Sequence, residues 1–263
     1  MPSSSIGMGE QDHAEREKFE NELKRILKAS DDAGIILRVI GSLAFQIHCP
    51  KYGYLQAAMG RAYTDIDFAA YQRQTKEIQV LMAGLGYHEN REVFIVSEGD
   101  RSIFERPEVG LHIDVFYEKL DFSHVIHWAD RLEVDRPSIP LAEMLLEKMQ
   151  IVQINEKDVI DTIMLLLEHP LGDKDQETIN IQRIAVLCST DWGLWRTTTM
   201  NLEKVRQLAQ GYEQLTDEQK EKIDAQVKAA LARIDQEPKS LAWRLRARVG
   251  DRVKWYKDVD EVQ

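Results

Sequence analysis

The feature that most constrains the fold is a change of period in mid-chain. Before the Pro-punctuated "DRPSIP", apolar residues come in short runs such as "GIILRVI", "DIDFAAY", "VFIVS", "SIFER" and "LHIDVFY", separated by Gly-containing or polar turns. Short branched runs bounded by turn residues are strand signals. Beyond it, apolar positions recur at helical spacing over 141–154, 156–168, 178–188, 192–210 and 216–235, the last with Ile223, Val227, Leu231 and Ile234 in a stripe. Three helices also fall in the first half. One, from Glu15 to about Ser30, carries Phe19, Leu23, Ile26 and Leu27 and is stopped by "DDAG"; "SLAFQIH" and "TKEIQVLMAGLGY" are the others, the last closed by Gly84 and Gly86. The pattern predicts an α+β (α/β) chain. Residues 1–12 read as disordered, 13–137 as a sheet flanked by helices, and 138–263 as a mostly helical domain, with 49–63 an ordered loop or insertion.

With 263 residues, 43% hydrophobic, the chain can bury a real core. Its apolar stretches break off well short of the ~18–20 residues a membrane span needs. The first twenty residues lack the basic start and apolar block of a secretory signal, so neither a span nor export is expected. Cys49 and Cys188 are too few and too far apart for a disulfide framework, which points to a reducing cytoplasm. A net charge of −11 argues against coating nucleic acid irrespective of sequence, because such binding needs many Lys and Arg contacts to phosphate. Any polyanionic partner must be held locally. The segment from Lys239 to Lys257, where Asp251 is the only acid, forms a basic island.

Within this frame, three carboxylates stand in apolar strands. Side chains alternate faces along a strand, so in "RAYTDIDFAA" Asp65 and Asp67 point one way and Ile66 and Phe68 the other. In "LHIDVFY", His112, Asp114 and Phe116 share a face. An isolated Asp-x-Asp also occurs at strand ends and turn caps. Here it follows Gly41-Ser42, placed where a branched strand turns directly into a helix.

Gly41-Ser42, Asp65-x-Asp67 and Asp114, in this order, resemble the nucleotidyltransferase superfamily of DNA polymerase beta. The phrases "VIGSLAFQIH", "GRAYTDIDFA" and "LHIDVF" are most similar to the minimal and AbiEii-type nucleotidyltransferases of abortive-infection and toxin systems, in which an Arg and a Thr lead into the Asp pair, as Arg61 and Thr64 do here. The segment "LLEKMQIVQINEKDVIDTIMLL" is similar to that family's helical part, with Lys148, Lys157, Asp158 and Asp161 at the matching positions. The resemblance spans roughly 35–168 and leaves the last third unmatched. Residues 49–60 lengthen the spacing between Gly41 and Asp65 beyond the family's usual one.

The resemblance implies a small mixed nucleotidyltransferase-type sheet and a metal-dependent enzyme. Such an enzyme moves an NMP from an NTP, ATP among them, to a hydroxyl on RNA (a tRNA end) or on a protein and releases pyrophosphate. It implies two Mg²⁺ ions, with Mn²⁺ as substitute, on Asp65, Asp67 and Asp114, which are also the catalytic residues. Gly41, Ser42, Arg61 and Lys148 would bind nucleotide, and an antitoxin would be the partner protein. Physical chemistry agrees: paired Mg²⁺ ions can clamp the attacking and leaving oxygens, and Mg²⁺ takes carboxylates plus substrate phosphates. Two carboxylates ~4 Å apart repel by about 4 kcal/mol at an effective dielectric of 20, so a cation is what lets the cluster persist. Two alternatives stand beside this reading: transfer to a small molecule, as in aminoglycoside nucleotidyltransferases, and a catalytically inactive nucleotide-binding scaffold.

Other residues admit two readings each. Lys148 could reach a phosphate or snorkel at the edge of the stripe formed by Leu141, Met144, Leu145 and Met149. Lys157 and Asp161, spaced i,i+4, suit a surface ion pair at least as well as a substrate contact. Arg61 could touch triphosphate or only water. His112 could line the site or be a satisfied strand histidine, and none of the seven histidines has zinc-motif spacing. The tail aromatics Trp243, Trp255 and Tyr256 could stack on RNA or pack a terminal helix onto the core.

Overall fold

The computed structural model describes residues 5–60 and 63–259, with side chains from residue 14 onward. The chain divides into two compact units: residues 1–44, 60–119 and 128–139 form the first, and 45–59, 120–127 and 140–263 the second. A change of unit at Ile139–Pro140 coincides with the change of period. Two pieces of the sheet-forming half nevertheless belong to the helical unit.

In the first unit, helix α1 (Ser5–Asp32) leads into β1 (Leu37–Ile40), and α2 (Gly41–His48) opens without a linker and runs on into the second unit. Residues 5–12, expected to be disordered, are part of this helix, while residues 1–4 lie outside the described residues. With no proline within α1, each added residue extends the helix by one hydrogen bond. Next come α3 (Tyr54–Ala58, in the second unit), β2 (Ile66–Ala70), α4 (Thr75–Gly84), β3 (His88–Glu89), α5 (Arg91–Val96), β4 (Arg101–Arg106) and β5 (Leu111–Tyr117).

The five strands form one mixed sheet in the order β1-β2-β5-β4-β3. The β2–β5 pair is parallel and the other neighbours are antiparallel. Ile26, Leu37, Val39, Ile78, Met82 and Phe104 are buried in this unit. The run "VFIVS", expected as a strand, forms α5 instead. Asn90 caps it by accepting a hydrogen bond from Val93 N at 3.4 Å, Glu92 sits in the first turn, and Ile95 and Val96 stay exposed. A short branched run has no periodicity that tells the two structures apart, so the cap decides.

The second unit adds the two-stranded ribbon β6 (Lys119–Asp121) and β7 (Val125–His127), then α6 (Leu141–Met149), α7 (Glu156–Glu168), the short pair β8 (Leu171–Gly172) and β9 (Ile179–Asn180), α8 (Ile181–Thr190), α9 (Trp192–Ala209), α10 (Asp217–Gln236) and α11 (Leu241–Val249). Four starts have a chemical signature: Asn155, Asn180 and Asp191 accept from the backbone N–H three residues on, all at 3.0 Å, and Thr216 with Gln219 completes a capping box. α10 packs against α7, α8 and α9 through Ile223, Val227, Ala230 and Ile234. Ala230 takes the place expected of Leu231, which is half-exposed. α6 stops at Met149 rather than 154 because Asn201 Nδ2 donates to the carbonyls of Met149 (3.0 Å) and Ile151 (2.6 Å). Among the described residues no helix is long and apolar enough to cross a membrane.

Candidate active site

The two acidic strands lie side by side. β2 and β5 pair with Asp67 opposite Asp114 and Ile66 opposite Ile113. The alternation is therefore carried across strands: Ile66, Phe68, Ile113 and Val115 are fully buried, while Asp65 and Asp67 are partly exposed and the Asp114 side chain keeps 13% exposure. Asp65 sits just before β2, where its Oδ1 accepts from Thr64 Oγ1 at 3.0 Å. His112 is exposed on the Asp114 face.

The Gly-Ser turn closes on the same spot. β1 pairs antiparallel with β2, Ile40 opposite Asp67, so the chain leaves β1 beside that carboxylate. Gly41 has φ +67°, in the left-handed region. A Cβ at this position would overlap Asp67 Oδ2 and lie 3.4 Å from its Cγ. Conformation and space thus both demand glycine. Ser42, 3% exposed, follows in the first turn of α2. Amides in a first helical turn lack intrahelical partners and carry the positive end of the helix dipole, which suits an anion.

Arg101, which the sequence did not single out, completes the constellation. It opens β4 and, being opposite Phe116 in the β4–β5 pairing, stands diagonal to Asp114. Its Nε donates to both Asp114 oxygens at 2.9 Å, Nη2 also donates to Oδ2, and the guanidinium lies 5.1 Å over the Phe116 ring. Burial pushes the Asp114 carboxyl above the ordinary aspartate value; Arg101 offsets part of this, and the Asp65 charge adds to the rise. Burial works against the Arg101 charge, but the Asp114 hydrogen bond and the Asp114, Asp67 and Asp65 charges outweigh it and hold the guanidinium above its usual value.

The oxygen-only set Asp65, Asp67 and Asp114 matches Mg²⁺ in donor type. In the arrangement described, Arg101 takes the place of a cation at Asp114. Among the described residues no three His, Cys, Asp or Glu side chains are gathered closely enough to hold a metal ion.

The remaining candidates lie elsewhere or outside the description. Arg61 is not among the described residues. Lys148, in α6 of the second unit, is 8% exposed, with its Nζ 3.2 Å from Asp161, 3.3 Å from Asp158 and 3.6 Å from Glu147, and 5.3 Å from the Phe45 ring centre. Asp161 is fully buried and also accepts from Gln56 Nε2 at 2.9 Å. Lys157 is exposed, so the surface pair considered for Lys157 and Asp161 is replaced by a buried one through Lys148. Residues 49–60 dock on α7 by Gln56 and by the Lys51 and Tyr52 amides, which donate to Glu168 Oε2 at 3.1 and 3.2 Å. Burial pushes the Cys49 thiol far up, which keeps it an unreactive thiol. The tail aromatics pack on α9: Trp243 meets Trp195 at 5.0 Å, and Trp255 Nε1 donates to Thr197 Oγ1 at 3.0 Å.

Comparison with models of protein families, with curated proteins and with solved structures finds no match to this chain.

Proposed function

We propose that the chain is a divalent-metal-dependent nucleotidyltransferase. The observation that carries this is Gly41, left-handed at a strand-to-helix turn and closed against Asp67, which is itself paired in register with Asp114. In this reading Gly41 lets the triphosphate approach the backbone, and Ser42 with the α2 amides holds its outer phosphates. Arg61 is the further nucleotide contact suggested by the resemblance. Asp65, Asp67 and Asp114 would hold Mg²⁺, or Mn²⁺, which would supply charge neutralisation at the attacking and leaving oxygens. The acceptor hydroxyl oxygen bonds to the α-phosphorus, the bond from that phosphorus to the bridging oxygen breaks, and pyrophosphate leaves. The hydroxyl proton passes to the Asp114 carboxylate. An RNA or protein acceptor, a toxin-like role beside an antitoxin, and a cytoplasmic setting belong to the same proposal.

The Arg101–Asp114 pair favours a second reading, a nucleotide-binding scaffold in which Arg101 permanently occupies the cation's place. Incubation with each labelled NTP, Mg²⁺, total RNA and cell extract separates the readings. Label on RNA or protein supports transfer to a macromolecule, and label on a small product supports a small-molecule acceptor. Tight nucleotide binding without transfer supports the scaffold. Asp67→Asn is expected to lower Mg²⁺-dependent transfer by at least about a hundredfold, a loss of roughly 3 kcal/mol of transition-state stabilisation, with the circular dichroism spectrum unchanged. Full transfer by that variant would remove Asp67 from the metal site.

A further inference from the structure

The first unit has a second cluster of basic groups that the proposed reaction does not use. A cavity of about 260 Å³ at the start of β1 is lined by Asp31, Gly34, Ile35, Ile36, Arg38 and Arg136. It shares no residue with the Gly41, Asp67 and Asp114 constellation. Arg38 is 3% exposed. Its Nε donates to Asp135 O and its Nη1 to Leu37 O, both at 2.9 Å, while the buried Nη2 has no partner. Both acceptors are neutral carbonyls.

A buried guanidinium normally sits against a carboxylate or phosphate, since an uncompensated charge away from water is costly. Nearby acids do not meet that need. Asp31 lines the same cavity without bonding Arg38, and Glu133 accepts from Tyr71 Oη and pairs with Arg73 at 3.6 Å. Burial, and then the like charge of Arg136, hold the Arg38 guanidinium below its ordinary pKa, with Asp31 and Glu133 only partly opposing. Two guanidinium-bearing residues of the same sign therefore line one space, and one of them keeps a buried N–H without a partner. Arg136 is exposed, so its side chain can swing to admit a ligand.

We infer that this cavity binds a small organic phosphate, its phosphoryl group bridging Arg38 and Arg136 and its organic body lying along Ile35 and Ile36. A phosphate monoester carries close to two negative charges and three acceptor oxygens, enough to serve both guanidinium groups at once. The space also exceeds what a bare oxyanion fills, a water molecule's share of the liquid being only about 30 Å³. The inference stands apart from nucleotidyl transfer and survives its failure.

Isothermal titration calorimetry on the full chain tests it, with phenyl phosphate, inorganic phosphate and benzoate as probes. EDTA in the buffer silences any cation-dependent phosphate binding at the Gly41 turn. Phenyl phosphate is expected to bind one to one, at least about tenfold tighter than either of the others. Arg136→Gln is expected to weaken it by about tenfold or more, the loss of one hydrogen-bonded charge. Arg38→Gln should abolish binding. If that variant does not fold, Arg136→Gln, a change at an exposed side chain, decides. No heat with phenyl phosphate at millimolar concentration, or equal affinity in Arg136→Gln, overturns the site. Tighter benzoate binding overturns the phosphate assignment, and equal affinity for inorganic phosphate overturns the enclosed organic body.

Discussion

Gly41 is held by two constraints at one position, a left-handed backbone and the Asp67 carboxylate where a Cβ would be. Gly60 has a similar φ of +72° but nothing within 4 Å of a Cβ, so it isolates the conformational part. Gly60→Ala is expected to cost about 1 kcal/mol, and Gly41→Ala roughly 1–3 kcal/mol more, read by urea denaturation. Equal losses would mean that Asp67 does not press on the turn. At this scale the sequence showed residue types and faces: Gly41, Ser42, Asp65, Asp67 and Asp114 were each identifiable from a strand period and a turn. Arg101 was not. Its contact with Asp114 depends on how β4 and β5 align, and a shift of one residue in that register would turn Arg101 to the other face.

Single elements are tied by ionic groups whose partners come from far along the chain. Glu22 in α1 accepts from Arg25 Nε at 2.9 Å and from Tyr87 Oη at 2.7 Å, with Arg106 at 3.9 Å. Burial alone would raise its carboxyl, but Arg25, Tyr87 and Arg106 outweigh it and hold the group below its ordinary value of 4.5. The folded state thus favours the charged form, and the unfolded chain binds more protons as pH falls. The stability Glu22 contributes is present above about pH 4.5 and is lost as pH drops through the lower folded value. Glu22→Gln is expected to cost about 1–2 kcal/mol at pH 7, with the gap to the parent narrowing in acid, as measured by denaturation at each pH. In α6, Lys148→Met leaves the carboxylates of Glu147, Asp158 and Asp161 without their shared cation. A loss of about 3 kcal/mol is expected, against less than about 0.5 for Lys157→Met at its exposed site. Comparable losses in the two variants would restore the surface pairing of Lys157. The starts of α6, α7, α9 and α10 were legible because helical period is local, whereas the start of α5 was not, in a run too short to show a period, nor was the end of α6, since Asn201 captures its last carbonyls from fifty residues away.

Over the whole molecule, the change of period after "DRPSIP" marks Ile139–Pro140, where the chain passes from one unit to the other. The mixed α+β character could be read from that change because period two and period 3.6 arise from backbone geometry over a few residues. The transfer of residues 45–59 and 120–127 to the helical unit could not. It rests on contacts such as Gln56 with Asp161, and His124 N donating to Gln150 Oε1 at 3.0 Å, between groups with no periodic relation. By itself the sequence determined which residues can be buried, which way each strand side chain points, and that a Gly-Ser stands where a branched strand turns into a helix. Tertiary structure alone decided that Asp114 meets Arg101, that Lys148 is enclosed by carboxylates, and that Arg38 keeps a buried N–H without a partner. Alternation and capping are short-range properties of the chain, whereas pairing of charges depends on register and packing between segments that only the folded state brings together.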